Sequence, residues 1–344
     1  MGGARLRGEE IRRFILDNVE AYPGVISKIT EEKFGITRQA VNKHLKKLSA
    51  ESLLTENGQT RSRVYKLAET SVWEHVYRIK EGMAEDLIWK NGIKEVLGNL
   101  PNNVLDIWHY GFTEMFNNAI DHSEGTKILV KIKKTAVNTS MMISDDGVGI
   151  FKKIQVKLNL LDERHAIFEL SKGKLTTDPR RHSGEGVFFT SRVFDSYDII
   201  SGGVIFSHQL ESSEDWLAKS RGFNHGTFVW MKLNNHTNRT TKAVFDAYAP
   251  GEDYQFNKTV VPVRLAQYGN DKLISRSQAK RLLARVELFK VVLFDFEGVD
   301  AIGQAFADEI FRVFVLAHPH MELHVTHANA EVKQMIERAK KVNL

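Results

Sequence analysis

Residues 112–123 read FTEMFNNAIDHS, and this stretch restricts the fold more than any other in the chain. Phe112, Met115, Phe116, Ala119 and Ile120 recur at the three-and-four spacing that lines one face of a helix. Glu114 and Asn118 are four apart, so they stack one turn apart on a second face. Asn prefers caps and turns to helix interiors. A helix built for burial that carries a carboxylate and an amide in register needs something polar for them to face.

Residues further along supply the surroundings. Residues 127–133 alternate, and SMMIS leads into Asp145-Asp146-Gly147-Val148-Gly149, a strand ending in an acidic, glycine-rich corner. Gly184 and Gly186 precede a helix beginning near Val187, and Gly226-Thr227 heads an alternating strand in NHGTFVWMKL. Each piece alone is common, because glycines usually just make turns. In this order the pieces (a helix with ExxxN, DxGxG after a strand, GxG before a helix, GT on a strand) resemble the nucleotide site of the GHKL ATPases. That superfamily includes histidine kinases, type II topoisomerases, MutL-type repair proteins and anti-sigma serine kinases. The resemblance covers roughly residues 102–233 and implies a Bergerat-type α/β sandwich, assigned to residues 102–240, that binds ATP with Mg²⁺.

Residue by residue, the resemblance implies the following roles. Asn118 would be the Mg²⁺ ligand, its oxygen suiting a hard cation that also holds phosphate. Glu114 would be the base that takes a proton from the attacking water or hydroxyl. Asp145 would accept a hydrogen bond from the adenine amino group, and Thr227 would lie near the adenine. Gly147 and Gly149 would permit close backbone approach, and Gly184 and Gly186 would present N–H groups to phosphate. The 34 residues between Gly149 and Gly184 form the expected lid, from which Lys174 and His182 are the cations chosen for phosphate. Asp146 reads as a turn residue and His122 as a capping or packing residue.

The formal charge of +5 is unevenly placed: residues 1–66 hold 13 Lys and Arg against 8 Asp and Glu, and the remainder is neutral. A basic excess confined to one segment suggests a polyanionic partner for that segment. Residues 9–19 read as a helix stopped by YPG, and VISKITEEKFG as a short helix broken at Gly35. A third helix runs on from Ile36, with Thr37 placed as its N-cap and Val41, Leu45 and Leu48 on one face. Asn57-Gly58 and the alternating RVYKL then give a hairpin. Over residues 1–67 this resembles the winged helix-turn-helix family. The resemblance implies that the third helix enters a DNA major groove with Arg38, Gln39, Asn42, Lys43 and Lys46 facing outward. Arg61 and Arg63 would lie on the wing, against phosphate or a minor groove.

Residues 68–101 read as a helical connector, short for a dimerisation and phosphotransfer domain. None of the 13 histidines precedes Asp or Glu, which disfavours a histidine autokinase. From Val260 strand and helix patterns alternate, giving a compact α/β unit with a largely parallel sheet over residues 255–344. VVLFDFEGVDAIGQAFADEI resembles the STAS domains of anti-anti-sigma factors. Where that resemblance puts a phosphoacceptor serine the chain has Gln304 and Ala305, so a docking or sensing role is implied instead. Asp295 and Asp308 read as structural or surface charges.

The absence of cysteine excludes disulfides, thiolate zinc sites and a thiol nucleophile. No apolar run approaches the length of a membrane span, and the N-terminus lacks a signal-peptide core, so a cytoplasmic protein is expected. The expectation is a multidomain α/β protein: winged helix, GHKL sandwich and STAS-like domain. Its expected function is an ATP-binding, DNA-binding regulator that binds Mg-ATP, with slow turnover if any, to switch domain arrangement. DNA, a protein docking on the STAS-like domain and a second copy of the chain are the expected partners. The alternative is an anti-sigma-type serine/threonine kinase acting on a separate STAS partner. A third reading is a DNA-processing or defence ATPase, which would bind DNA with a steep salt dependence and little sequence preference.

Overall fold

The computed structural model describes residues 2–59, 63–175, 184–210, 215–219, 225–248, 256–267 and 272–341. Three hydrophobic cores organise the chain. The N-terminal one is formed by helices α1 (Gly2–Asn18), α2 (Ile26–Phe34) and α3 (Arg38–Ala50). Gly35 stops α2 in the left-handed conformation, and its N–H bonds the Glu31 carbonyl. Thr37 caps α3, its hydroxyl accepting the Ala40 N–H at 3.3 Å. Val41, Leu45 and Leu48 of α3 are fully buried against Ile11, Ile15 and Val19 of the first helix and its exit. Strands β1 (Leu54–Asn57) and β2 (Val64–Leu67) follow as an antiparallel ribbon.

Residues 68–101 are not the helical connector expected from the sequence. Residues 71–78 form strand β3 (Ser71–Arg78), antiparallel to β4 (Lys127–Lys134) and at the edge of a seven-stranded sheet. Trp73 and Tyr77 pack inward while Val72 and Val76 are exposed, the period-two alternation of an edge strand. Aromatic and β-branched residues favour this pleated setting, and charges on the outer face hide the apolar signal. Helix resumes at α4 (Glu85–Ile88), a π-helical turn (Trp89–Ile93) and α5 (Lys94–Leu97). Trp89, Ile93 and Leu97 enter the same core as the sheet, which therefore begins to assemble well before residue 102.

The remaining strands of this sheet are β5 (Asn138–Asp145), β6 (Ser196–Ser201), β7 (Val204–Gln209), β8 (Asp215–Lys219) and β9 (Thr227–Asn234). The order is β3-β4-β5-β9-β6-β7-β8, and each neighbouring pair is antiparallel. Helices α6 (Asn102–His122), α7 (Ile150–Lys157), α8 (Glu163–Lys172) and α9 (Gly186–Val193) share a core with inward residues of β4, β5, β6 and β9. The result is a sheet with helices packed on one face.

Helix α10 (Thr241–Tyr248) carries Val244 to both the central and the C-terminal core. The C-terminal unit has three parallel strands in the order β10 (Lys258–Pro262), β11 (Val291–Asp295), β12 (Glu322–Thr326). Helices α11 (Arg276–Leu283), α12 (Gln304–Asp308), a π-helical turn (Glu309–Phe314), α13 (Val315–Ala317) and α14 (Ala330–Lys341) connect and cover them. A Ser275–Gln278 capping box starts α11. The parallel sheet and its helices agree with the sequence expectation for this region.

The N-terminal unit is tied closely to the central sheet. Only residues 68–70 separate β2 from β3; Ala68 N–H bonds Leu53 O at 3.0 Å and Thr70 N–H bonds Lys134 O at 2.7 Å. Glu20 accepts from the Lys232 ammonium at 2.6 Å and the Asn138 amide at 3.0 Å. No helix among the described residues is long and apolar enough to cross a membrane.

Candidate functional site

A pocket of about 250 Å³ lies between α6, the end of β5, the first turn of α7, the start of α9 and the head of β9. Helix α6 contributes Glu114, Met115, Asn118, Ala119 and His122 to its wall. The helical phase explains which residues point here: Phe112, Phe116 and Trp108 are fully buried in the core, while Glu114 and Asn118 turn toward the cavity half-exposed. No described residue pairs with the Asn118 side chain, leaving its oxygen and amide directed at the pocket.

Burial pushes the Glu114 carboxyl above its ordinary range, and the neighbouring Glu185 carboxylate pushes it further. Gly186 presses against this carboxylate: a Cβ there would stand 1.9 Å from Glu114 Oε2. At the opposite wall, Asp145 Oδ1 accepts the N–H groups of Gly147 at 2.9 Å and Thr227 at 3.1 Å. Burial still raises the Asp145 carboxyl, against the pull of these hydrogen bonds. Thr227 Oγ1 accepts the Ile150 N–H at 3.0 Å, and Gly226 N–H bonds Gly147 O at 2.7 Å. The head of β9 is thereby stitched to the acidic corner after β5.

The other residues chosen from the sequence fall in several places. Gly184 lines the pocket, its carbonyl accepting the Leu175 N–H at 3.1 Å. Gly147 and Gly149 stand behind the wall rather than on it. A Cβ on Gly147 would lie 2.0 Å from the Ser123 carbonyl oxygen, which Val148 N–H already bonds at 2.9 Å, so the turn locks onto the end of α6. Asp146 accepts from Thr126 and Lys127, which holds it down to about 2 and ties the corner to the start of β4. His182 and Arg61 lie outside the described residues.

Lys174 is a correction. Its ammonium is turned away from the pocket, donating to Leu288 O at 2.9 Å and lying 4.8 Å from the Phe289 ring. Gly173 and Lys174 both have positive φ, 83° and 54°, so the chain swings out of α8 toward the C-terminal unit. A carbonyl and a π-face there hold the ammonium outside the pocket.

Sequence reasoning missed Lys153. This residue lines the pocket with its ammonium 2.8 Å from His122 O and 2.8 Å from Glu124 Oε1. The signal was present: α7 starts directly after Gly149, and Lys153 falls one turn after that glycine, on the side of Ile150 and Ile154. Those two isoleucines, with Ile143, Leu170, Ile199 and Val229, make an apolar wall that only the folded chain assembles.

On α3, Arg38, Gln39, Asn42, Lys43 and Lys46 are all exposed, opposite the buried Val41, Leu45 and Leu48. Arg63, at the entry to β2, lies 3.4 Å from Glu56. In the C-terminal unit, Asp295 accepts the Glu297 N–H at 3.0 Å and pairs with His327 Nδ1 at 2.9 Å. Asp308 pairs with Arg312 and Arg276. Both aspartates are thus engaged within the fold, as the sequence suggested.

Comparison with protein families reaches only this C-terminal unit. Residues 278–333 match a STAS-like domain of unknown function (DUF4325). The match runs from within α11 into α14 and takes in β11 and β12. Among curated proteins none matches the chain. The STAS-like unit carries Gln304 and Ala305 at the start of α12, with no hydroxyl at either position.

Proposed function

We propose that the protein is an ATP-responsive DNA-binding regulator: a winged helix, a GHKL-type nucleotide module and the STAS-like unit in one chain. The observation that carries the reading is convergence. Glu114, Asn118, Asp145, Gly184, Gly186 and Thr227, from segments more than a hundred residues apart, all line one pocket.

The chemistry of the wall suits a nucleotide. Ile143, Ile150, Ile199 and Val229 offer apolar faces for a base, and Asp145 offers a carboxylate acceptor for an exocyclic amine. The Asn118 oxygen, without a partner among the described residues and one turn from Glu114, suits a Mg²⁺ ion shared with phosphate. The bound cation would supply positive charge to the phosphates. Glu114 would orient water and accept its proton, and its raised pKa makes the ionised carboxylate a stronger base than an exposed glutamate. Lys153 would add a cation to the same wall.

The exposed basic and amide side chains of α3 support the DNA half of the reading, together with the basic excess of the N-terminal segment. The STAS-like unit supports a protein partner, since docking is what such a unit without a phosphoacceptor hydroxyl can still do.

The test is incubation with γ-labelled ATP and Mg²⁺ beside Asn118→Ala and Glu114→Ala, counting bound nucleotide, free phosphate and protein-attached label separately. Binding lost in Asn118→Ala and phosphate release lost in Glu114→Ala is the expected pattern. Label transferred to an added STAS protein would replace the regulator with the serine/threonine kinase reading. No Mg²⁺-dependent binding by the wild type would sink the nucleotide assignment.

A further inference from the structure

The segment that closes the pocket is held from outside it. Helix α8 ends in Glu169 and Lys172, 4% and 1% exposed, whose side chains pair at 2.7 Å. Lys172 also donates to Ala284 O at 2.6 Å, at the end of α11 in the STAS-like unit. Arg285 of the same unit places Nε 3.5 Å from Glu169 Oε2 and donates through Nη2 to Lys174 O at 2.6 Å. Thr259 on β10 donates to Lys172 O at 2.6 Å. The Lys174 ammonium completes the set through Leu288 O. Apart from the Glu169–Lys172 pair itself, every one of these bonds crosses between residues 169–174 and the C-terminal unit.

The next residue, Leu175, lines the pocket, and its N–H bonds the carbonyl of Gly184, another wall residue. The charged cluster thus runs directly into the pocket wall. We infer that Glu169, Lys172 and Arg285 form a buried latch by which the STAS-like unit holds the rim of the pocket. Nucleotide in the pocket and the seating of this unit on α8 therefore stabilise each other. The nucleotide half of this statement rests on the function proposed above; the latch rests on the contacts alone.

Aromatic packing beside the cluster, such as Phe188 on Phe256 at 4.6 Å, would suffice for adhesion. Burying an ammonium and a carboxylate in the same interface is costly unless each finds partners, and its return is a single permitted register. Here the cations Lys172 and Arg285 find the Ala284 and Lys174 carbonyls as well as Glu169, whose Oε2 accepts no hydrogen bond and has the Arg285 guanidinium 3.5 Å away, so the charges are paired in one docked arrangement. When the unit lifts away, water can take over the same groups. An interface with such an alternative has two states that a ligand can bias, and the bias is reciprocal.

The experiment uses the full chain with Arg285→Asn and, separately, Thr259→Val. Asn tolerates the left-handed backbone at this position, where φ is 62°. The Arg285 side chain is 31% exposed, so its loss leaves the cores intact. Amide hydrogen exchange is read at Leu175 and across β11, and Mg-ATP affinity is measured by titration calorimetry. Exchange at Leu175 should quicken about tenfold in both variants with β11 unchanged, and Mg-ATP affinity should fall about tenfold. Unchanged exchange at Leu175 overturns the latch. Faster exchange with unaltered Mg-ATP affinity overturns the coupling. A wild type that binds no Mg-ATP overturns the nucleotide reading, while faster Leu175 exchange in the variants than in that wild type still upholds the latch.

Discussion

Replacing Gly186 with alanine should separate catalysis from stability. The new methyl would lie 1.9 Å from Glu114 Oε2 and 2.9 Å from Cδ, so the carboxylate must retreat by more than an ångström. Its Cγ, at 3.5 Å, is already in ordinary contact and can stay, so the motion is a rotation near the end of a flexible side chain. Leaving a preferred rotamer costs about 0.5–1.5 kcal/mol. Alanine in a helix gains up to about 1 kcal/mol over glycine, and Gly186 opens α9 without needing a positive φ. The two terms nearly cancel, so thermal melting should shift by only a few degrees. Function should not be spared, because a general base displaced by about 1 Å costs on the order of a hundredfold in rate. The assay pairs a melting curve with phosphate release under saturating Mg-ATP. Release within twofold of wild type in a variant of unchanged melting temperature would refute the role assigned to the Glu114 carboxylate.

Other substitutions act through different contacts. Gly147→Ala drives its methyl into the Ser123 carbonyl, a backbone atom that cannot swing away, and should destabilise the protein by about 3 kcal/mol or more in a denaturant titration. The pH profile of phosphate release should carry an acid limb above the ordinary glutamate range, because Glu114 must be ionised to act as a base and its pKa is raised. Burial is the larger cause and the Glu185 carboxylate the second, so Glu185→Gln should move that limb part of the way down. Lys43→Ala and Lys46→Ala should each reduce the slope of log affinity for duplex DNA against log salt by about 0.9, as measured by fluorescence anisotropy. A slope that does not change in either variant would remove those residues from the interface.

The parts of the architecture that could be read from the sequence were those with a strong local period. Helix α3 combined an N-cap threonine with buried residues at 41, 45 and 48, and the structure shows both. The parallel C-terminal unit was legible because buried β11 is continuously apolar and helices separate its strands. Strand β3 was misread because an edge strand with one wet face alternates charges with aromatics, and WEHVYR satisfies a helical count nearly as well. For the pocket, Glu114 and Asn118 declared themselves by helical phase, since their spacing fixes their relative direction whatever they face. Lys174 did not, because its direction depends on two consecutive residues of positive φ and on a π-face supplied by Phe289, far along the chain. The glycines of the DxGxG corner were located correctly, but the structure packs them against Ser123 and Ser201 rather than setting them on the pocket wall.

The three-residue passage from β2 to β3 leaves the N-terminal helices without a gimbal. Both of its flanking amides are bonded, and Glu20 bolts the far side of the unit to Lys232 and Asn138. A tether of flexible residues would let α3 search for a groove at any angle; this mounting presents α3 at one fixed bearing to the central sheet. If two copies grip one duplex, the pitch of the double helix then becomes a ruler for the whole assembly. A shift in how the copies sit would then fall first on the twist and bend of the DNA, since moving the shoulder means breaking the bonds at Ala68, Thr70 and Glu20.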